Sequence, residues 1–125
     1  MKMATVLVIE DNPDNMMLIC DILELNGYTV IQALTGLHGY ETAEEKQPDF
    51  IILDIQLPDI DGYQVLEKIR NSKKIQKVPV IAMTSYAMAG DKERLLNAGC
   101  DGYVEKPIDP NLVMLRILQA IGDRV

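Results

Sequence analysis

The sequence predicts an α/β fold, a doubly wound five-stranded parallel sheet with five helices covering its two faces. Two patterns carry this expectation. Short runs of consecutive apolar residues, such as Phe50-Ile51-Ile52-Leu53, recur along the chain, and an unbroken apolar run is what a strand buried on both faces requires. Between these runs lie amphipathic segments of helical length, the crossovers that parallel strands need.

Thr5-Val6-Leu7-Val8-Ile9 forms the first strand and runs into the acidic pair Glu10-Asp11. Asn12-Pro13 then offers an N-cap and a proline at the first helical position, opening a helix on which Leu18, Ile22 and Leu25 recur before Gly27 closes it. Residues 28–33 read as the second strand, and Thr35 caps a second helix running to about Lys46. Gly36 and Gly39 weaken that helix, whose expected buried positions are Leu37, Tyr40 and Ala43. Pro48-Asp49 punctuates the chain before the central strand, which ends at Asp54.

A loop containing Pro58 leads to Asp61, the expected cap of a third helix with Val65, Leu66 and Ile69 facing inward. Val78-Pro79-Val80-Ile81-Ala82-Met83 holds the fourth strand, beginning at or just after its proline and ending at Thr84-Ser85. Residues 91–97 form a short fourth helix stopped near Gly99, and Gly102-Tyr103-Val104-Glu105 is the fifth strand, followed by Lys106-Pro107. Asp109-Pro110 caps the last helix, with Val113, Met114, Ile117, Leu118 and Ile121 as its apolar stripe.

The 125 residues are enough for one domain with one core. A single domain over residues 1–125, with no output domain, is expected. A net charge of -7 repels a phosphate backbone and argues against nucleic-acid binding. Cys20 and Cys100 have no metal-site or redox spacing and read as buried, idle thiols of a reducing compartment. With no apolar run of membrane-spanning length and no signal peptide, a cytoplasmic protein without membrane contact is expected.

The strand ends carry the chemistry: Glu10 and Asp11, then Asp54, then Thr84 with Ser85, then Lys106. In a doubly wound sheet these ends share one rim, where reactive groups gather. Carboxylates so close would raise one another's pKa unless a cation sits among them. An all-oxygen site suits magnesium, which takes one or two carboxylates plus a phosphate oxygen, and Asp11 and Asp54 can supply the carboxylates. Lys106 adds a point charge and Thr84 a hydroxyl donor for a phosphoryl oxygen. These parts suit phosphoryl transfer to the Asp54 carboxylate.

Glu10-Asp11, Asp54 with Leu57-Pro58 and Asp61-Gly62, Thr84, and Tyr103 with Lys106-Pro107 occur in an order that resembles the response-regulator receiver domains, the CheY-like family, over nearly all of the chain. The resemblance implies a flavodoxin-like sheet of strand order 2-1-3-4-5. It also implies a single-domain response regulator of two-component phosphorelay signalling, phosphorylated on Asp54 by a sensor histidine kinase or histidine phosphotransferase. Magnesium would be held by Asp11, Asp54 and the Gln56 backbone carbonyl, with Glu10 acting through a bound water.

The same resemblance implies that Lys106 contacts the phosphoryl group, that Thr84 moves toward it, and that Tyr103 turns inward behind Thr84. A downstream protein would then meet the face made by the fourth helix, fifth strand and fifth helix. The Lys106-Pro107 bond would be cis, while Gln56 and Tyr86 would flank the hydrolytic water and tune phosphoryl lifetime. Such a chain is a phosphoacceptor with slow self-dephosphorylation and not a turnover enzyme. Asp54-Ile55-Gln56-Leu57-Pro58 and Ala87-Met88-Ala89-Gly90-Asp91 are most similar to stand-alone receivers of the DivK type. Ser85 stands where the family usually has alanine, and both leave room for a phosphoryl group.

Three other readings compete. The chain could be the receiver of a hybrid histidine kinase. A metal-dependent phosphohydrolase with an aspartyl intermediate would need an acid two residues after its nucleophile, where Gln56 stands. A flavin-binding protein would need a hydroxyl- and glycine-rich loop after the first strand, where Glu10-Asp11 would repel the phosphate. His38, on the weak second helix, reads as a solvated surface residue.

Overall fold

In the computed structural model, which describes residues 4–85 and 89–122, strand and helix alternate five times. The elements are β1 (Thr5–Ile9), α1 (Pro13–Leu25), β2 (Thr29–Ala33), α2 (Gly36–Lys46), β3 (Phe50–Asp54), α3 (Gly62–Arg70), β4 (Val80–Thr84), α4 (Ala89–Asn97), β5 (Gly102–Glu105) and α5 (Pro110–Ile121). The strands form one parallel sheet in the order β2-β1-β3-β4-β5. Doubly wound topology follows from covering both faces: α1 and α5 pack on the side that takes Val6, Val8, Ile52, Ile81 and Met83. Helices α2, α3 and α4 pack on the side that takes Leu7, Ile9, Ile51, Leu53 and Ala82. Each fully buried Val, Leu or Ile stabilises the fold by about 1.5–3 kcal/mol.

Register sets the rim. Ile9 pairs with both Ala33 and Leu53, Asp54 with Met83, and Thr84 with Glu105. The residues after these pairs therefore emerge level, which brings Glu10, Asp54, Thr84 and Lys106 to one edge. At the opposite edge Arg70 donates to the carbonyls of Gly99, Gln76 and Val78 and pairs with Asp101 at 3.1 Å. That clasp ties α3 to the entrances of β4 and β5.

The expected caps are present: Asn12, Thr35, Asp61 and Asp109 each accept a backbone N–H from the first turn of α1, α2, α3 and α5. Val65, Leu66 and Ile69 face inward as expected. Three expected core positions are corrected. Leu25 is 87% exposed because it lies two residues beyond buried Leu23, roughly 200° around the helix. Leu118 is 51% exposed, one residue off the buried row Val113, Ile117 and Ile121. Leu37 is 44% exposed, and the buried row of α2 consists of Gly36, Gly39, Thr42 and Ala43.

Cys20 and Cys100 are buried and free, and burial pushes the Cys100 thiol up to about 12. His38 is exposed. Among the described residues no helix is long and apolar enough to cross a membrane. Tyr86, Ala87 and Met88 lie outside the described residues.

Candidate functional site

The cleft is built from the ends of β1, β3, β4 and β5. Glu10 leaves β1 fully buried, its backbone N–H still donating to Ala33 O at 3.0 Å. Its Oε1 accepts from Asn12 N and from Asn15 Nδ2, both at 3.3 Å. Asp11, the next residue, is exposed at the mouth. Asp54 closes β3 with 2% exposure, and its Oδ1 accepts from Gln56 N at 3.0 Å and from Lys106 Nζ at 3.0 Å.

Lys106 reaches between the acids, with Nζ 3.3 Å from Glu10 Oε2 as well. Its backbone N–H donates to Thr84 O at 2.8 Å, and its bond to Pro107 is cis. Thr84, the last residue of β4, is 3% exposed. One oxygen each from Glu10, Asp11 and Asp54 lies within 4.8 Å of the others.

Three carboxylates face one ammonium group, so the cluster carries an excess of negative charge when ionised. Burial, then the hydrogen bond and charge of Asp54, raise the Glu10 pKa to about 7 against the opposing pull of Lys106. Glu10 Oε2 is buried, and Lys106 Nζ lies 3.3 Å from it. A compact set of three carboxylates with a charge excess over one ammonium group fits a hard divalent cation such as magnesium. Metals that prefer nitrogen or sulfur ligands find none among Glu10, Asp11 and Asp54.

The structure brings Glu10, Asp11, Asp54 and Lys106 together and places buried Thr84 beside them at the rim. Gln56 is exposed in the loop after β3, tied back to Asp54 by its amide. Tyr103 does not enter the cleft. Half-buried on β5, its ring is flanked by Lys92 Nζ at 4.9 Å and Arg116 Cζ at 5.5 Å from the centroid. Two participants had no sequence signal strong enough to single them out. Asn15 holds Glu10 from the first turn of α1, and Asp59 accepts from Gly36 N and Leu37 N, each at 2.8 Å. Only the spacing of Asn15 three residues after the Asn12 cap hints at the first.

The chain is similar to known proteins over nearly all of its length. It is 39% identical over 119 residues to the polar-differentiation response regulator DivK of Brucella ovis, covering 95% of this chain and 97% of that one. It is 34% identical to the receiver domain of sensor histidine kinase PA1611 from Pseudomonas aeruginosa, with a TM-score of 0.87 over 98% of this chain and 100% of that one. That structure has a magnesium ion coordinated in its active site cleft. The chemotaxis response regulator CheY4 of Vibrio cholerae, 23% identical over 95% of this chain and 99% of that one, has the same fold with a TM-score of 0.90. The family model of the response regulator receiver domain matches residues 6–118, and the chain belongs to that family.

Proposed function

We propose that the chain is a phosphorylation-dependent signalling switch that accepts a phosphoryl group on Asp54 and thereby changes its affinity for a protein partner. The observation that carries this reading is the meeting of Asp54 with Lys106 at 3.0 Å beside Glu10 and Asp11. A buried carboxylate so placed can attack phosphorus through one oxygen. The O–P bond forms at Asp54 as the bond from phosphorus to the donor's leaving group breaks, giving an acyl phosphate.

Lys106 would neutralise charge on the transferring group, and the Thr84 hydroxyl would donate to it once attached. Glu10, Asp11, Asp54 and the Gln56 carbonyl would hold magnesium, which supplies charge neutralisation for the phosphoryl oxygens. Gln56 offers no carboxyl to protonate a leaving group, which favours a switch over a phosphohydrolase.

The phosphodonor is a sensor histidine kinase or histidine phosphotransferase of the same cytoplasmic compartment. Exposed Met17 and Leu34 border the hollow that Asp11 shares with α1, an apolar rim suited to such a partner. The single-domain reading rests on the 39% identity to DivK, with the receiver of a hybrid kinase, as in PA1611 at 34%, as its alternative. The downstream protein meets the face of α4, β5 and α5, where Tyr103, Leu96 and Arg116 line a shallow groove.

Incubation with acetyl phosphate and magnesium tests the reading by intact-mass spectrometry. One phosphoryl group is expected on the wild type and none on Asp54→Asn. Modification that persists in Asp54→Asn, or none in either protein, would rule it out.

A further inference from the structure

We infer that Asp59 is a positioning residue for the cation site, clamping the loop after β3 onto the first turn of α2 and so fixing Gln56 relative to Glu10 and Asp11. This rests on the magnesium reading of the cleft. An α-helix leaves its first backbone N–H groups without intrahelical partners. In α2 the local cap Thr35 satisfies only one of them, accepting from His38 N at 3.2 Å. The amides of Gly36 and Leu37 instead donate to Asp59 Oδ1 and Oδ2, both at 2.8 Å, from 23 and 22 residues away in sequence. Two bonds to one carboxylate fix its orientation, and the positive end of the helix favours its charge. Those amides hold the Asp59 carboxyl below its ordinary pKa, Leu37 contributing most.

Close packing reinforces the clamp. A Cβ on Gly36 would lie 2.7 Å from Ile60 Cγ1, so the loop rests directly on the helix backbone. One turn on, a Cβ on Gly39 would lie 2.5 Å from Ile9 Cδ1, one residue before Glu10. Helix α2 therefore touches both halves of the donor set: β1 just ahead of Glu10 and Asp11, and the loop that carries Gln56. The base of that loop is closed separately by Gly62 N donating to Ile55 O at 2.8 Å. Asp59 is the polar fastening at its tip. Groups that hold first-contact ligands in place from behind change metal affinity when removed.

Magnesium titration followed by amide NMR measures this without any phosphoryl transfer. Asp59→Ala is expected to weaken magnesium binding roughly tenfold, and Asp59→Asn by less, because its single acceptor oxygen serves one amide. Asp61→Ala removes the N-cap of α3, accepted from Gln64 N at 2.9 Å, in the same loop but without the tie to α2. It should lose comparable stability yet keep magnesium affinity within about twofold of wild type.

Unchanged affinity in Asp59→Ala, or equal weakening in Asp61→Ala, would overturn the positioning role while leaving the magnesium reading intact. A wild-type protein that binds no magnesium would overturn both. If Asp59→Ala fails to fold, Asp59→Asn against Asp61→Ala decides the question by the same criterion.

Discussion

Glu10 shows what the cleft costs the fold. The residue is fully buried and its pKa is raised to about 7, so burial and Asp54 together outweigh the attraction of Lys106. Its charged form is therefore disfavoured in the folded chain when no cation is bound. Replacing it with glutamine keeps an acceptor for Asn12 and Asn15 and removes one negative charge beside Asp54. At pH 8 and without divalent cations, Glu10→Gln should raise the melting temperature by roughly 3–6 °C, on the scale of about 1 kcal/mol in a domain of this size. The further rise on adding magnesium should be smaller than in wild type. A variant that melts below wild type in chelator would show that the Lys106 pair outweighs the crowding. The acids and Lys106 were legible in the sequence because each follows an apolar strand, and strand ends share a rim whatever the details of packing. Asn15 and Asp59 were not, since their roles depend on partners that only tertiary placement supplies.

At the level of elements, α2 departs most from what its sequence suggests. Two glycines in one helix normally signal weakness, and the interior one, Gly39, costs about 1 kcal/mol relative to alanine. Here they are the contact surface: the buried row of Gly36, Gly39 and Ala43 lets the helix backbone approach Ile9 and Ile60. Propensity and packing thus make opposite predictions for Gly39→Ala. The added Cβ would lie within 2.5–2.9 Å of three atoms of Ile9, a β-branched, fully buried side chain that has little room to yield. Overpacking typically costs about 1–3 kcal/mol, enough to exceed the propensity gain. Gly39→Ala should therefore lower the unfolding free energy by about 1 kcal/mol in chemical denaturation. Adding Ile9→Val, which removes the nearest atom, should recover part of the loss as a favourable coupling in the double-mutant cycle. A more stable Gly39→Ala would mean that the helix moves away at little cost. The order and type of all ten elements could be read from apolar runs and caps. Ala43 on the inward face of α2 could be read as well, but Gly36, Gly39 and Thr42 beside it could not, because small and polar residues carry no hydrophobic signal.

Across the whole molecule, β5 belongs both to the cleft and to the proposed partner face, and β4 lies beside it. Lys106 donates its backbone N–H to Thr84 O, Thr84 pairs with Glu105, and Tyr103 pairs with Ala82 two residues before Thr84. Beyond Tyr103, Lys92 of α4 and Arg116 of α5 flank its ring. On the proposed reading, an anion bound at Asp54 would compete for the Lys106 ammonium group that Asp54 and Glu10 now hold, and would offer Thr84 a new acceptor. Any resulting shift of β4 or β5 would reach Tyr103 within two or three residues, while the Arg70 clasp holds the far edge of the sheet. A ligand moves such an equilibrium only by binding one arrangement better than the other. Magnesium with beryllofluoride, a stand-in for the phosphoryl group, should therefore shift the amide resonances of Thr84 and Lys106 together with those of Tyr103 and Lys92. Thr84→Ala removes the hydroxyl and keeps the carbonyl, so it should still bind beryllofluoride but lose most of the shift at Tyr103 and Lys92. The gain in partner affinity, roughly tenfold for a coupling of ordinary size, should fall toward unity in that variant. Full response at Tyr103 in Thr84→Ala would instead assign the coupling to Lys106 and the backbone of β5, since these would be the cleft's remaining connection to that ring.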